Sequence, residues 1–176
     1  RPLVDVINTD QHIATAEIGV EKMNSYRLVY GFNSFLEGSY FSGYKQQLNG
    51  RFTKKRFYSD YNGSYLTTAN SPVNTEFYRH KTTISQGIGK FKLAVTDEFE
   101  NNLFKSAFTN TLMPRTYQFW DWEASISNAD SSRNNIKLFY RERRDMQAYN
   151  NVLKDSTYAQ NVGAQLGIYS IKNHPI

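Results

Sequence analysis

From Tyr26 the even positions read Tyr26, Leu28, Tyr30, Phe32 and then Leu36, and the odd positions between them read Arg27, Val29, Gly31 and Asn33. Side chains alternate sides along a strand, so this ribbon carries one apolar and one mostly polar face. Ala14, Ala16, Ile18 and Val20 alternate in the same way with Thr15, Glu17 and Gly19. Tyr44 to Tyr58 predicts a long extended run, with Leu48 and Phe52 on one face and Arg51, Thr53 and Lys55 on the other. Gly38 and Gly43 punctuate a turn region before it. Asn62-Gly63 predicts a hairpin, because both residues tolerate positive φ, with Tyr65 to Ala69 as the return strand. Asn70-Ser71-Pro72 then breaks the chain.

Phe77 to Ile84, Gly89 to Thr96 and Tyr117 to Ile126 read as further strands, the last carrying both tryptophans. Ile136 to Arg144 and Tyr158 to Ser170 complete the series. Arg1 to Asp10 is an irregular lead-in, Asn128 to Asn135 a polar turn, and Met146 to Ser156 a loop with a helical turn. One stretch departs from the period of two. Phe99, Leu103, Phe104, Ala107, Phe108 and Leu112 recur at three-to-four spacing, Asp97 and Glu100 resemble a capping box, and Pro114 follows. That spacing predicts a helix over Asp97–Leu112, the alternative being that the preceding strand simply continues through Glu100. The expected architecture is all-β: about eight strands in a long-stranded antiparallel meander, either an extended sheet or an arc of a β-barrel, with at most one substantial helix. Residues 1–176 form a single β-rich domain, expected to be a fragment of a larger chain because it opens on Arg1 and ends soon after its last strand.

Composition narrows the classes. Aromatic residues make up 15%, with Tyr occurring 13 times, and such rings suit half-buried positions on pleated sheets. Cysteine is absent, which removes disulfides, thiolate metal sites and Cys nucleophiles. The net charge of +5 is a mild basic excess that does not choose among anionic partners. No stretch approaches the apolar length of a transmembrane helix.

Candidate chemistry is sparse. Phe119-Trp120-Asp121-Trp122-Glu123 is the most site-like stretch, since tryptophan and carboxylate together are typical of sugar binding. Strand geometry opposes it: Trp120 and Trp122 share one face, and Asp121 and Glu123 point the other way. Core or interface tryptophans backed by solvated acids fit that geometry better. Arg51, Lys54, Lys55 and Arg56 lie among Phe52, Phe57 and Tyr58 and form a candidate basic patch of the kind that holds single-stranded nucleic acid. A solvated strand face that discourages edge aggregation explains it as well, and no nucleic-acid partner is expected. For Arg141, Arg143 and Arg144, salt bridging is the simpler account. His12, His80 and His174 lack a metal-ligand spacing, Asp97, Glu98 and Glu100 lack a calcium-loop pattern, and Gly87-Ile88-Gly89-Lys90 lacks P-loop spacing. No catalytic residue, metal or cofactor is expected.

The C-terminal third carries Pro114, Trp122, the polar turn at Asn128–Asn135, Leu138-Phe139-Tyr140-Arg141, Asp145, Asn150-Asn151, Ala159-Gln160-Asn161, Gly163-Ala164-Gln165-Leu166 and Asn173-His174. This series resembles an interior segment of very large, β-rich cell-envelope proteins of Bacteroidota. The resemblance implies an outer-membrane, periplasmic or surface location, and it transfers no catalytic residue. The expected function is that of a non-catalytic structural or transport component of an outer-membrane or cell-surface assembly. Its expected partners are other protein subunits or the remainder of a larger chain, together with outer-membrane lipid. The alternatives are a secreted carbohydrate-binding β-sandwich module and, third, a single-stranded nucleic-acid-binding β-barrel.

Overall fold

The computed structural model describes residues 11–38, 41–70, 72–128 and 135–167. They form nine strands: β1 (Gln11–Lys22), β2 (Tyr26–Glu37), β3 (Phe41–Lys54), β4 (Phe57–Asn70), β5 (Val73–Ile88), β6 (Phe91–Ser106), β7 (Tyr117–Asn128), β8 (Asn135–Tyr149) and β9 (Val152–Gly167). All lie in one antiparallel meander in sequence order, and the sheet is not closed. No described residue is helical.

The alternation read from Tyr26 sets the register. Tyr26, Leu28, Tyr30 and Phe32 stand opposite Lys22, Val20, Ile18 and Ala16 of β1, and opposite Phe52, Gly50, Leu48 and Gln46 of β3. Directly paired residues share a face, so the pairing carries the apolar face from strand to strand. That face continues through Tyr61 and Tyr65, Ile84, Leu93 and Val95, Trp120 and Trp122, Leu138 and Tyr140, and Val162 and Leu166.

Following one row of paired residues shows that the apolar stripe is oblique. The row through Val20 and Leu28 continues as Gly50, Tyr61, Thr82, Asp97, Trp122, Glu142 and Gln160: it begins aliphatic and ends polar. Aliphatic residues return on β6 to β9 mainly closer to the β1–β2 hairpin end, at Val95 and Val162, then at Leu93, Ile126, Leu138 and Ala164, and then, beside Phe91, at Ile136 and Leu166. The hairpins at that end, called here the upper end, climb with the stripe. The β1–β2 hairpin closes at Lys22↔Tyr26, whose row reaches Phe52. The β3–β4 hairpin closes beyond it at Lys54↔Phe57, whose row reaches Gln86, and the β5–β6 hairpin closes beyond that at Ile88↔Phe91. Each step is one alternation, so the climb is about one residue per strand, the shear that tilted barrel strands show.

Turn chemistry follows local backbone. Lys55 (φ 54°) makes the β3–β4 turn, Gly89 (φ 59°) the β5–β6 turn, and Asn150 and Asn151 (φ 49° and 64°) a two-residue β8–β9 turn of the type that needs positive φ twice. Asn62-Gly63 is therefore not a hairpin. It lies inside β4, where Asn62 Nδ2 donates to Asp60 at 2.8 Å and Gly63 leaves room for the Tyr61 ring. Gly43, expected in a turn region, lies inside β3. A Cβ there would stand 2.5 Å from the Phe35 ring and 2.7 Å from the Thr67 carbonyl oxygen.

The helix over Asp97–Leu112 is also absent. β6 runs straight to Ser106 in unbroken register with β5. The three-to-four spacing distributes over both sides of a strand: Phe99 and Leu103 lie on the apolar face, and Phe104 lies on the polar face beneath Arg115, at 4.3 Å. The acids that resembled a cap are held instead by Arg79, His80 and Lys81 of β5. Residues expected to loop between Met146 and Ser156 extend β8 and open β9, with a register shift at Asp145/Met146. The lead-in 1–10, most of the turn at 128–135 and the end of the last strand after Gly167 lie outside the described residues.

Candidate functional site

Burial in this sheet is inverted. No hydrophobic residue is buried among those described, whereas Ser85, Glu100, Asn102, Thr116 and Asp121 are. Ser85, Glu100, Asn102 and Asp121 all belong to the polar face, and Thr116 sits in the β6–β7 connection, bonded through its hydroxyl to the Phe104 backbone. Meanwhile Leu93, Val95, Ile126, Leu138, Val162 and Leu166 form one exposed stretch of the apolar face. A large contiguous apolar patch beside enclosed polar groups is the informative departure from ordinary globular burial.

The polar face is tied together by charge. Arg141 of β8 bonds Asp121 of β7 through Nε and Nη2, Arg143 lies 3.6 Å from the same carboxylate, and Arg143 also pairs with Asp145 at 2.9 Å. The hydrogen bond from Arg141 holds the Asp121 carboxyl below its ordinary range, against the opposing effect of burial. Glu98 receives Arg79 at 2.8 Å and Lys81 at 3.1 Å. Burial pushes its pKa up, but the hydrogen bonds from Lys81 and Arg79 outweigh that and leave it lowered. Glu100 accepts from Asn102 and Tyr117, and that bond raises the Tyr117 phenol. Lys137–Glu123 and Arg51–Asp60 extend the ladder to either side. Rings on this face lie under cations: Arg143 over Phe119 at 4.5 Å and Lys137 over Phe139 at 5.4 Å.

On the apolar face, below the aliphatic stretch, one polar cluster interrupts the rings. His80 Nε2 lies 2.9 Å from Asp97, Trp120 Nε1 donates to the other Asp97 oxygen, and His80 stacks between Tyr61 and Phe99 with centroids at 6.3 and 5.7 Å. Both Asp97 oxygens are thus engaged by side chains, and the other ring nitrogen of His80 lies 3.2 Å from the Tyr78 hydroxyl. The helical spacing of residues 97–112 hides these cross-strand neighbours in the sequence. Strand alternation alone would have placed Asp97 and Phe99 together.

The structure separates the expected site residues as the alternation required. Trp120 and Trp122 share the apolar face, with Trp122 against the Tyr140 ring at 5.3 Å, and Asp121 and Glu123 take the polar face. Asp121 is not solvated, however: it is buried and doubly paired. The basic patch is split. Arg51 is paired on the polar face, Lys54 faces the apolar side opposite Phe57, and Lys55 and Arg56 form the turn. Among the described residues no group of three or more His, Asp or Glu is placed to hold a metal ion. No helix among them is long and apolar enough to cross a membrane, which leaves strands unaddressed. No family model matches the chain, and comparison with curated proteins and with solved structures gave no match.

Proposed function

We propose that the chain is a non-catalytic wall of an outer-membrane or cell-surface assembly, with its apolar face against lipid and its polar face toward an aqueous interior. The observation that carries this reading is the inverted burial: among the described residues every buried strand side chain is polar, and the aliphatic stretch across β6 to β9 is exposed. In water such a face costs about 25 cal/mol for each Å² left exposed, so it calls for an apolar partner. A bilayer suits the shape of the stripe. A drift of about one residue per strand, roughly 3.3 Å of rise against roughly 4.8 Å of spacing, corresponds to strands tilted about 35° from the stripe's normal. On β6 the stripe runs from Phe91 through Leu93 and Val95 to Phe99, interrupted by the partnered Asp97, about 22 Å of height at that tilt against the ~25 Å band of membrane barrels. Rings at its lower margin (Trp120, Trp122, Tyr140 and Tyr158) suit the interfacial belt. The open edges of β1 and β9 offer backbone groups to further strands, from other subunits or from the rest of a longer chain.

The test is reconstitution. The chain refolded in the presence of neutral phosphatidylcholine vesicles should co-float with them and keep its strand signal by circular dichroism. A chain that folds as a soluble monomer and ignores the vesicles would overturn the reading.

A further inference from the structure

The upper end of the sheet is cationic. Its three described hairpins, residues 22–26, 54–57 and 88–91, carry Lys22, Lys54, Lys55, Arg56 and Lys90 and no Asp or Glu. Lys92 follows at the next position of β6, and Glu21, just before the first hairpin, is the one acid at the equivalent flanking positions of these hairpins' outer strands, β1 and β6. None of these six forms an ion pair with a described residue, whereas Arg79, Lys81, Lys105, Arg141, Arg143 and Arg144 lower on the sheet all do, as does Lys137 in the row of Lys92. Arg56 is fixed by its backbone partner, donating from Nη1 to the Gly89 carbonyl at 3.1 Å, which joins the second and third hairpins. The described lower hairpins do not share this excess: Glu37 offsets Arg115 there.

Two further facts set what this rim faces. Because the upper hairpins climb at the same rate as the apolar stripe, the cations lie along its upper border instead of crossing it. And the cations adjoin apolar rings directly: Lys54, Lys55 and Arg56 line one shallow groove with Phe52 and Phe57, whose rings meet edge to face at 5.9 Å. Aliphatic side chains, then rings, then ammonium and guanidinium groups is the order of acyl chain, interface and phosphate in a leaflet.

We propose that this basic rim binds the phosphate groups of an anionic lipid leaflet, fixing which end of the sheet meets that leaflet. The proposal rests on the lipid-facing reading and adds headgroup charge and orientation to it. Each cation held near an anionic surface strengthens partitioning several-fold, and salt weakens the effect.

The experiment compares the full chain on phosphatidylcholine vesicles with vesicles in which a third of the lipid is phosphatidylglycerol. Wild type should partition about tenfold or more better into the anionic vesicles at low salt, a preference erased near 1 M salt. The variant Lys54→Gln, Lys55→Gln, Lys90→Gln should keep binding neutral vesicles and lose most of that preference. Replacing the same three residues with Arg should retain it, and Lys45→Gln with Lys154→Gln, away from the rim, should leave it unchanged. Equal partitioning of wild type into both vesicle types would overturn the proposal while leaving the lipid-facing reading intact. Failure to bind either type would overturn both. Release from anionic vesicles by millimolar inorganic phosphate at constant ionic strength would reassign the rim to a soluble oxyanion.

Discussion

The two faces of this sheet handle polar groups in opposite ways. On the polar face, charges meet across strands at regular register positions: Arg141 opposite Glu123 and one row from Asp121, Lys81 opposite Glu98, Arg51 opposite Asp60. On the apolar face, the polar groups of the lower part are partnered locally, as His80 and Trp120 partner Asp97 and Asp155 pairs with Arg144, whereas Lys22 and Lys54 stand at its upper border without an ion pair to a described residue. The upper part of that face, across β6 to β9, carries aliphatic residues and rings. A sheet built this way has its two environments written into alternate residues, and the difference between the faces is the functional statement. An ordinary sandwich would cover the apolar face with a second layer of its own chain. Here none of the described residues supplies that layer.

The sharpest way to break the comparison is to put a charge in the middle of the bare face. Leu138→Arg should leave the fold in detergent unchanged and cost about 2–4 kcal/mol in vesicle partitioning, read by flotation. Equal partitioning of the variant and wild type would mean that this face does not meet lipid.

Close approach across strands gives the next effect. Gly43→Ala forces a methyl against both the Phe35 ring and the Thr67 carbonyl, and backbone cannot yield as a flexible side chain can. A loss of about 2 kcal/mol in denaturant unfolding is expected. On the polar face, Arg141→Gln leaves the buried Asp121 with Arg143 alone and should lower stability by about 1–2 kcal/mol, with no change in lipid partitioning. Leu138→Arg and Arg141→Gln thus form a double dissociation between the faces.

The smallest effect is pH dependence. Asp121 and Glu98 both have carboxyl pKa values lowered in the fold. Such groups add stability that is fully present above the ordinary carboxylate range, about pH 4, and is lost as pH falls through their depressed folded values. Chemical unfolding should therefore be flat from pH 7 to about 5 and fall below about pH 4. Arg141→Gln should flatten the acid limb. An unchanged acid limb in that variant would remove Asp121 from the account.

Much of this was legible in the residues. The period of two at Tyr26–Phe32 and Leu138–Tyr140 survives as the face assignment, and the alternation Trp120-Asp121-Trp122-Glu123 correctly divided rings from acids. What misled was local signal read without its neighbours. Asn62-Gly63 is a strong hairpin pair in isolation, yet the reversal falls at Lys55-Arg56, where the flanking Phe52 and Phe57 rings meet. Asp97 to Glu100 reads as a helix cap until Arg79, His80 and Lys81 are placed opposite. The obliqueness of the stripe could not be read at all from one strand, because it is a relation between registers.

The two tryptophans offer the most direct test of the central claim. They are the only tryptophans in the chain, and both sit on the apolar face, so their emission reports on that face alone. The chain reconstituted into vesicles of acyl-chain-brominated phosphatidylcholine should show blue-shifted emission that is strongly quenched by the bromolipid and weakly by aqueous iodide. Red-shifted emission, quenched by iodide and indifferent to the brominated chains, would contradict the assignment of that face to lipid.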